Sequence, residues 1–533
     1  MPVCCFKNTI FFRQSSAGYG QQKKKTKCFY MENLIHRLKK IGISIDLGHD
    51  RLRLHIPDNL ASREILEEVK LNRQELIAYL KKKQASADFC SVKPRLLQQA
   101  PHYGTLHNQQ KEYMRFLLLG PHSYNMNFIL RFDQLDRTSL ESALETVLQR
   151  HESLRTTLFQ TDGEIRQRIH DLSETGLPVE YIDLSDRDDF EQAGQELFGK
   201  ELSRRFDLGK EIPVAIKIAR YTKDTYFLSF TIHHISCDDA SLRILKEEIG
   251  VLYEAYKAGR RNPLPPLLYQ YKEYADWVKR YMDGGRKEAS LEFYRQRIGE
   301  DHYPASYRQL LEKELDRAVG KENAGKYSQA FGLVVNLYPG RGGRYHFFIQ
   351  ETLLNKVKDF AARSRASFNM TLTAVFCMLL QKITNKRQIR LYMPFSTRVR
   401  EEFQGIVGWL TSEAILCMDI TAGMTLKECI AKVTETLMET ANHRLYPHEA
   451  IMQELDLPLY LLAPFFLNFP EGRDTDIADF TPVHHDRGSA HFELRIEAIA
   501  YRNGMELVID SVYSRESIEY LIREFSRLLE EIV

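Results

Sequence analysis

The stretch that most restricts the fold of this chain is Tyr226 to Leu252, where a period of two gives way to a helical period across a short polar run. Tyr226, Leu228, Phe230 and Ile232 alternate as on one face of a strand, and Leu242, Leu245, Ile249 and Leu252 recur along one side of a helix. Val214 to Ala219 reads as a strand just upstream. Between strand and helix lies His233-His234-Ile235-Ser236-Cys237-Asp238-Asp239, with Asp238 or Asp239 placed to cap the helix. The two histidines therefore stand at a strand end facing a loop, where a side chain can be held rigidly and still reach a cleft.

A neutral imidazole can take a proton from an amine or hydroxyl near neutrality, because its unperturbed pKa is about 6.5. One of the two histidines suffices for that. A carboxylate four residues after His234 can order the loop by pairing with a distant arginine without touching substrate. The dipeptide alone says little: 17 histidines give about 0.5 such pairs by chance, and a second, His484-His485, lacks these neighbours. On a purely structural reading the run is two satisfied histidines beside a helix cap. Cys237 offers a further reading as a thiol nucleophile near His234, yet no third orienting residue or oxyanion signature accompanies it. A buried, inert cysteine is the expectation there.

Composition narrows the remaining classes. With 533 residues, 43% hydrophobic and 27% charged, the chain has length for about three domain-sized units. No run approaches the length of a membrane span, and Leu459 to Phe469 is interrupted by proline. Eight cysteines lie scattered with no CxxC pair, so neither a disulfide framework nor a metal site is indicated, and a reducing cytoplasm is expected. The net charge of +2 hides six bases and no acid in residues 1–30; the remainder carries 68 bases and 72 acids, or −4. A mildly acidic body argues against nucleic acid as a partner.

From Asn33 to Leu80 the pattern is a small α/β unit. Leu34, Ile35 and Leu38 suggest a helix. Ile43–Leu47 and Arg51–Ile56 alternate as strands around the turn Gly48-His49-Asp50, and helical spacing returns at Ile65, Leu66, Val69 and at Leu76, Ile77, Leu80. Residues 84–95 read as a linker. Further on, Thr138 and Glu141 have capping-box spacing ahead of Leu140, Leu144, Val147 and Leu148, and Thr161-Asp162-Gly163-Glu164 reads as a hairpin turn. Residues 300–345, with the loop Pro339–Gly343, separate two mixed α/β halves.

The segment LIHRLKKIGISIDLGHDRLRLHIP, with NRQELIAYLKKK after it, resembles the tubulysin-type N-terminal docking domain. The resemblance implies that residues 31–83 form such a domain, whose hairpin uses strand addition to capture the C-terminal tail of an upstream synthetase subunit. Arg51, Arg53 and His55 alternate on one strand face and would suit an acidic tail; otherwise they form a solvated basic face.

From about residue 95 to 533 the chain resembles the condensation domains of nonribosomal peptide synthetases, through motifs in the family's order. RHESLRT (Arg150–Thr156) with Leu158-Phe159 comes first, and HHISCDD resembles the active-site motif HHxxxDG. YKEYADWV (Tyr271–Val278), LEFYRQRIG (Leu291–Gly299), MPFSTR ending at Arg398, GIVGWLT (Gly405–Thr411), PHEAIMQEL and HFELRIE continue the series. Singly, each has a structural reading. Arg150 and Arg155 suit a helix C-terminus, and Trp277 suits a core.

The resemblance implies a two-lobed, chloramphenicol acetyltransferase-like α/β fold, with an N-lobe of about 96–280 and a C-lobe of about 281–533. A tunnel between the lobes would admit the phosphopantetheine arms of donor and acceptor carrier proteins. It implies acyl transfer with amide, or else ester, formation. His234 would be the catalytic histidine, His233 structural, Asp238 the loop-holding aspartate and Arg398 its partner. No bound cofactor, metal, nucleic acid or membrane partner is expected. Asp239 departs from the family's glycine, which could narrow the tunnel or raise the pKa of His234. The alternative is then a platform that binds carriers or recruits a tailoring enzyme. No adenylation or carrier motif follows, so the protein is expected to act in trans. Residues 1–30 read as disordered or untranslated, with Met31 as the start; mass spectra of the native protein should then contain no peptide from 1–30.

Overall fold

In the computed structural model the chain divides into two compact units, Met1–Arg95 and Leu96–Val533. The structure describes residues 44–48, 51–55, 69, 72–74 and 76–77 of the first. In the second it describes 102–121, 124–283, 285–298, 338–339, 343–364, 366–384, 386–455, 465–469, 489–490, 494–501, 504–511, 513 and 515–531. Residues 1–30, the linker 84–95 and His484-His485 lie outside these. So does the start of HFELRIE, through Glu493.

The first unit contains an antiparallel hairpin, Ser44–Gly48 against Arg51–His55, in the register Ser44↔His55, Asp46↔Arg53 and Gly48↔Arg51. Val69 and Leu76, one side of the helical spacing read from sequence, are buried.

The second unit is built on two large sheets. The N-lobe sheet runs Asn125–Asp133, Thr225–His233, Val214–Arg220, Val179–Asp183, antiparallel except for the last pair. The strand Thr225–His233 is central because both its faces are apolar or small. Leu228, Phe230 and Ile232 pack on the helices Arg137–Arg150 and Asp239–Lys257, and Phe227 packs on the other side with Phe198 and Tyr221. The helix Arg137–Arg150 starts earlier than its Thr138/Glu141 spacing suggests. Asp136 is its N-cap, accepting from Ser139 N at 3.2 Å, and Glu141 pairs with Arg137 instead. A carboxylate competes well for that position because it also meets the helix's positive end. A second hairpin, Thr156–Thr161 and Glu164–Ile169, turns through Asp162 and Gly163, both with positive φ. That pair of left-handed residues matches the twist of the strands it joins.

The C-lobe sheet is six-stranded, in the order Gly343–Gln350, Gly504–Ser511, Leu494–Tyr501, Phe465–Asn468, Gln388–Ser396, Thr411–Asp419. Helices Glu351–Arg363, Phe368–Thr384, Leu426–Ala441 and Arg515–Glu531 cover it through an apolar core that includes Val357, Phe376, Val433 and Phe525. Tyr338–Pro339 is not loop but a short strand paired with Ser489–Ala490, and Gly343 already begins the first sheet strand. Among the described residues no single helix is long and apolar enough to cross a membrane.

The two lobes are joined by more than chain connectivity. Strands Gln388–Ser396 and Thr411–Asp419 pair from end to end, Ser396 opposite Thr411, and the loop between them, 397–410, reaches out of the C-lobe sheet. Its Val407 enters the N-lobe core, and the Val407 carbonyl accepts from Ser153 Oγ at 2.8 Å. Its Phe403, Ile406 and Leu410 pack with Tyr271, Tyr274 and Trp277 of the helix Tyr271–Met282. Trp277 is therefore core, the structural role expected for it from the sequence.

Gly408 lies where this loop crosses Tyr271: a Cβ there would stand 2.2 Å from the Tyr271 ring, which is itself buried. Gly408→Ala should lower stability by about 1–3 kcal/mol through overpacking, read as a reduced urea midpoint with an unchanged slope.

Candidate active site

The register of the N-lobe sheet builds the site. Asn125 pairs with His233, so the residue before the one strand faces the residue after the other, and Tyr124 comes to lie against His234. The Tyr124 carbonyl accepts the His234 N–H at 2.7 Å. Its ring stacks on the imidazole, with centroids 4.7 Å apart and planes 19° from parallel. Burial first, then Glu413 and Glu112, pushes the Tyr124 hydroxyl up to about 12, so it stays protonated at neutral pH.

The two histidines occupy different surroundings. His233 is fully buried, and its Nδ1 accepts from Ile235 N at 3.2 Å, which leaves the ring proton on Nε2, 3.7 Å from Glu112 Oε1. Its ring thus caps the short 3₁₀ turn His234–Ser236. His234 is only half-buried, and the Trp409 ring lies 4.5 Å from its own on a plane tilted by 45°.

Asp238 and Arg398 meet in a buried, bidentate pair, Nη1–Oδ2 at 2.6 Å and Nη2–Oδ1 at 2.9 Å. Around them both carboxylate oxygens and the guanidinium Nη2 find further partners, while Arg398 Nε is buried without a hydrogen bond among the described residues. Asp238 Oδ1 caps the helix Asp239–Lys257 by accepting from Ser241 N at 2.9 Å, and Oδ2 accepts from Leu410 N at 3.0 Å and Thr411 Oγ1 at 3.2 Å. Arg398 also donates to the Ile406 carbonyl at 2.9 Å, and Gly408 N donates to Ser241 Oγ at 3.1 Å. Burial alone would raise the Asp238 carboxyl, but the guanidinium and these donors hold it below the ordinary carboxylate range.

Asp239 is the first residue of that helix, and among the described non-glycine residues only Gln134 and Asp162 have positive φ. The backbone at 239 therefore does not demand glycine, and an acid in the first turn is favoured by the helix's positive end. Cys237 is fully buried, donating weakly to the His233 carbonyl at 3.7 Å, and burial pushes its thiol well up, with Asp238 and Asp239 adding to the effect. A thiol kept protonated in this way is not a nucleophile.

Other residues singled out in the sequence lie in the scaffold. Arg155 donates to the Leu148 carbonyl at 2.8 Å and the Gln149 carbonyl at 3.1 Å, closing the C-terminus of the helix Arg137–Arg150. Arg150 and His151 share Glu248, at 3.0 and 2.8 Å, which ties that helix to Asp239–Lys257. Arg51, Arg53 and His55 take alternate positions of one hairpin strand, where register sets Asp46 opposite Arg53. Among the described residues no cluster of His, Cys, Asp or Glu could hold a metal ion. Tyr124 and Glu112 went unread in the sequence, and only the register Asn125↔His233 would have pointed to Tyr124. Trp409 stood inside GIVGWLT without being singled out.

Residues 99–533 match the family described as Condensation domain. The chain is 26% identical over 428 residues to one component of the linear gramicidin synthase of Brevibacillus parabrevis, covering 77% of this chain and 8% of that protein. It is 25% identical over 430 residues to bacitracin synthase 3 of Bacillus licheniformis, covering 77% and 6%. It thus spans under a tenth of the length of these relatives. Among solved structures, the first condensation domain of the calcium-dependent antibiotic synthetase, in complex with a substrate analogue, superposes with a TM-score of 0.64 at 16% identity, covering 81% of this chain and 96% of that one. The X-domain from teicoplanin biosynthesis gives 0.62 at 19% identity, covering 82% and 96%. These two likenesses bear on the fold alone.

Arg398→Ala leaves a buried carboxylate without its counter-ion and should cost about 3–5 kcal/mol in urea unfolding at pH 7. The depressed pKa of Asp238 sets the pH dependence. Stability from the pair is fully present above the ordinary carboxylate range, and is lost as pH falls below about 4 and through the lower folded-state value. The gap between wild type and variant should therefore narrow on acidification, as followed by denaturation midpoints between neutral pH and the acid limit.

Proposed function

The chain belongs to the condensation domain family, and we propose that it joins acyl groups presented as thioesters on carrier proteins to an acceptor on a second carrier, in nonribosomal peptide biosynthesis. The acceptor amine attacks the donor thioester carbonyl. A C–N bond forms, the C–S bond breaks, and the donor's phosphopantetheine leaves as thiolate, which takes up the proton released by the amine. A hydroxyl acceptor would give an ester by the same course. His234 orients the attacking group or carries that proton, His233 holds the turn beneath it, and Asp238 with Arg398 holds the loop. The observation that supports this most is a half-buried histidine at a strand end, on a loop fixed across two lobes, in a chain that matches the family over residues 99–533.

The protein acts in trans in the cytoplasm, and residues 31–83 serve as a docking domain for the tail of an upstream synthetase subunit, with Arg51, Arg53 and His55 facing acidic side chains. The alternating bases of a hairpin strand support this, since strand addition supplies affinity and charge supplies selectivity. Tethering of that kind raises effective concentration. A second reading, a carrier-binding platform without turnover, is favoured by Asp239 in place of the motif glycine. The backbone conformation and helix position of Asp239 speak for turnover instead.

With donor and acceptor carriers loaded, His234→Ala should lower product formation by about 10²- to 10⁴-fold. Equal product from both proteins would defeat the catalytic assignment, and stable complexes with product from neither would identify the platform. Arg51→Glu with Arg53→Glu should weaken binding of an acidic upstream tail peptide in calorimetry while leaving condensation of directly supplied carriers intact.

A further inference from the structure

An imidazole that handles a proton must be held in one plane, and in most sites a hydrogen bond to its second ring nitrogen does this. His234 is held otherwise. Its Nδ1 is buried, and among the described residues no group hydrogen-bonds to it. Among the described residues two aromatic rings lie against the imidazole, Tyr124 at 4.7 Å and Trp409 at 4.5 Å, which also meet each other at 5.9 Å and 64°. Offset and tilted arrangements at these distances are attractive and orientation-dependent.

The two rings arrive by separate routes. Tyr124 is delivered by sheet register and gripped again through its carbonyl, which accepts the His234 N–H. Trp409 arrives on the loop from the other lobe, and its neighbours pin it. Leu410 N donates to Asp238 at 3.0 Å, Gly408 N donates to Ser241 at 3.1 Å, and the Trp409 carbonyl accepts from the Tyr271 hydroxyl at 3.4 Å. Asp238 therefore controls the site from two directions, along its own strand-to-helix loop four residues after His234, and through the backbone of Leu410, the residue after Trp409.

We propose that Tyr124 and Trp409 are the positioning residues of His234, an aromatic stack that sets the imidazole plane, and that the Asp238–Arg398 pair reaches the chemistry through Trp409. This rests on His234 being the reacting histidine. Neither ring exchanges a proton or touches the reacting atoms in the proposed step. Removal of either ring frees the imidazole to rotate, which lowers the fraction of bound complexes in attacking geometry without changing how carriers bind.

The test uses the full chain with loaded carriers. Trp409→Ala and Tyr124→Ala should each lower kcat by about tenfold to a hundredfold at nearly unchanged KM. The Phe variants at the same positions should recover most of it, and thermal unfolding should identify any variant that merely loses its fold. Trp409→Ala added to His234→Ala should cost nothing further, because the ring acts only through the imidazole. An optical readout needs no substrate. The chain has two tryptophans, so the difference in emission between wild type and Trp409→Phe isolates Trp409, whose emission responds to the groups packed against its ring. His234→Ala should change that difference emission in intensity or wavelength. Emission indifferent to His234 overturns the proposal even if the enzyme is active. Unchanged kcat in Trp409→Ala, with His234→Ala inactive, overturns the positioning role and leaves the catalytic reading standing. Full turnover by His234→Ala overturns both.

Discussion

The buried pair between Asp238 and Arg398 is the contact on which the rest of the site depends. Each partner loses hydration that its counter-ion alone would not repay, and such a pair persists only where geometry is good and the remaining lone pairs are filled. The contact is bidentate, Ser241, Leu410 and Thr411 fill the lone pairs of the carboxylate, and the Ile406 carbonyl takes a further guanidinium donor, with Nε alone of the guanidinium nitrogens lacking a partner among the described residues. Its partners lie 160 residues apart, on a loop of one lobe and at a helix start of the other. One electrostatic contact thereby closes the helix Asp239–Lys257, anchors the loop 397–410 and fixes the approach of the lobes at the histidines.

Most of the remaining motif residues serve the scaffold rather than the chemistry. Arg155 satisfies helix-end carbonyls, Arg150 and His151 bind two helices through Glu248, and Trp277 packs with Phe403. Chemically conspicuous side chains are expensive to bury, and Arg155, Arg150 and His151 each meet carbonyl or carboxylate partners where they enter the packing. The pattern explains how motifs dispersed through the chain act together: RHESLRT and YKEYADWV both pack on the loop 397–410, to which most of GIVGWLT belongs.

Asp239 illustrates how a departure from a motif depends on its backbone. A left-handed φ at that position would have made any side chain strained, whereas a helix N1 position accepts an aspartate readily. Cys237, two residues earlier, shows the opposite case. A reactive residue type is silenced by complete burial beside two carboxylates, which disfavour its thiolate.

The strand–histidine–helix passage, the alternation in Thr225–His233, the hairpin at Asp162-Gly163 and the participation of Asp238 were legible in the sequence, because period and turn chemistry are local properties. The cap of the helix Arg137–Arg150 was misplaced by two residues, since neighbouring Asp136 and Thr138 both offer an acceptor and only the folded helix chooses. The likeness of dispersed motifs to a family pointed to Arg398 as the partner of Asp238, which no local pattern could have done. Tyr124 and Trp409 belong to tertiary structure alone. One is brought to His234 by the register of strands a hundred residues apart, the other by a loop that reaches out of its own sheet. Register and long-range crossings are set by the packing of whole faces, and no window of sequence contains both sides of that contact.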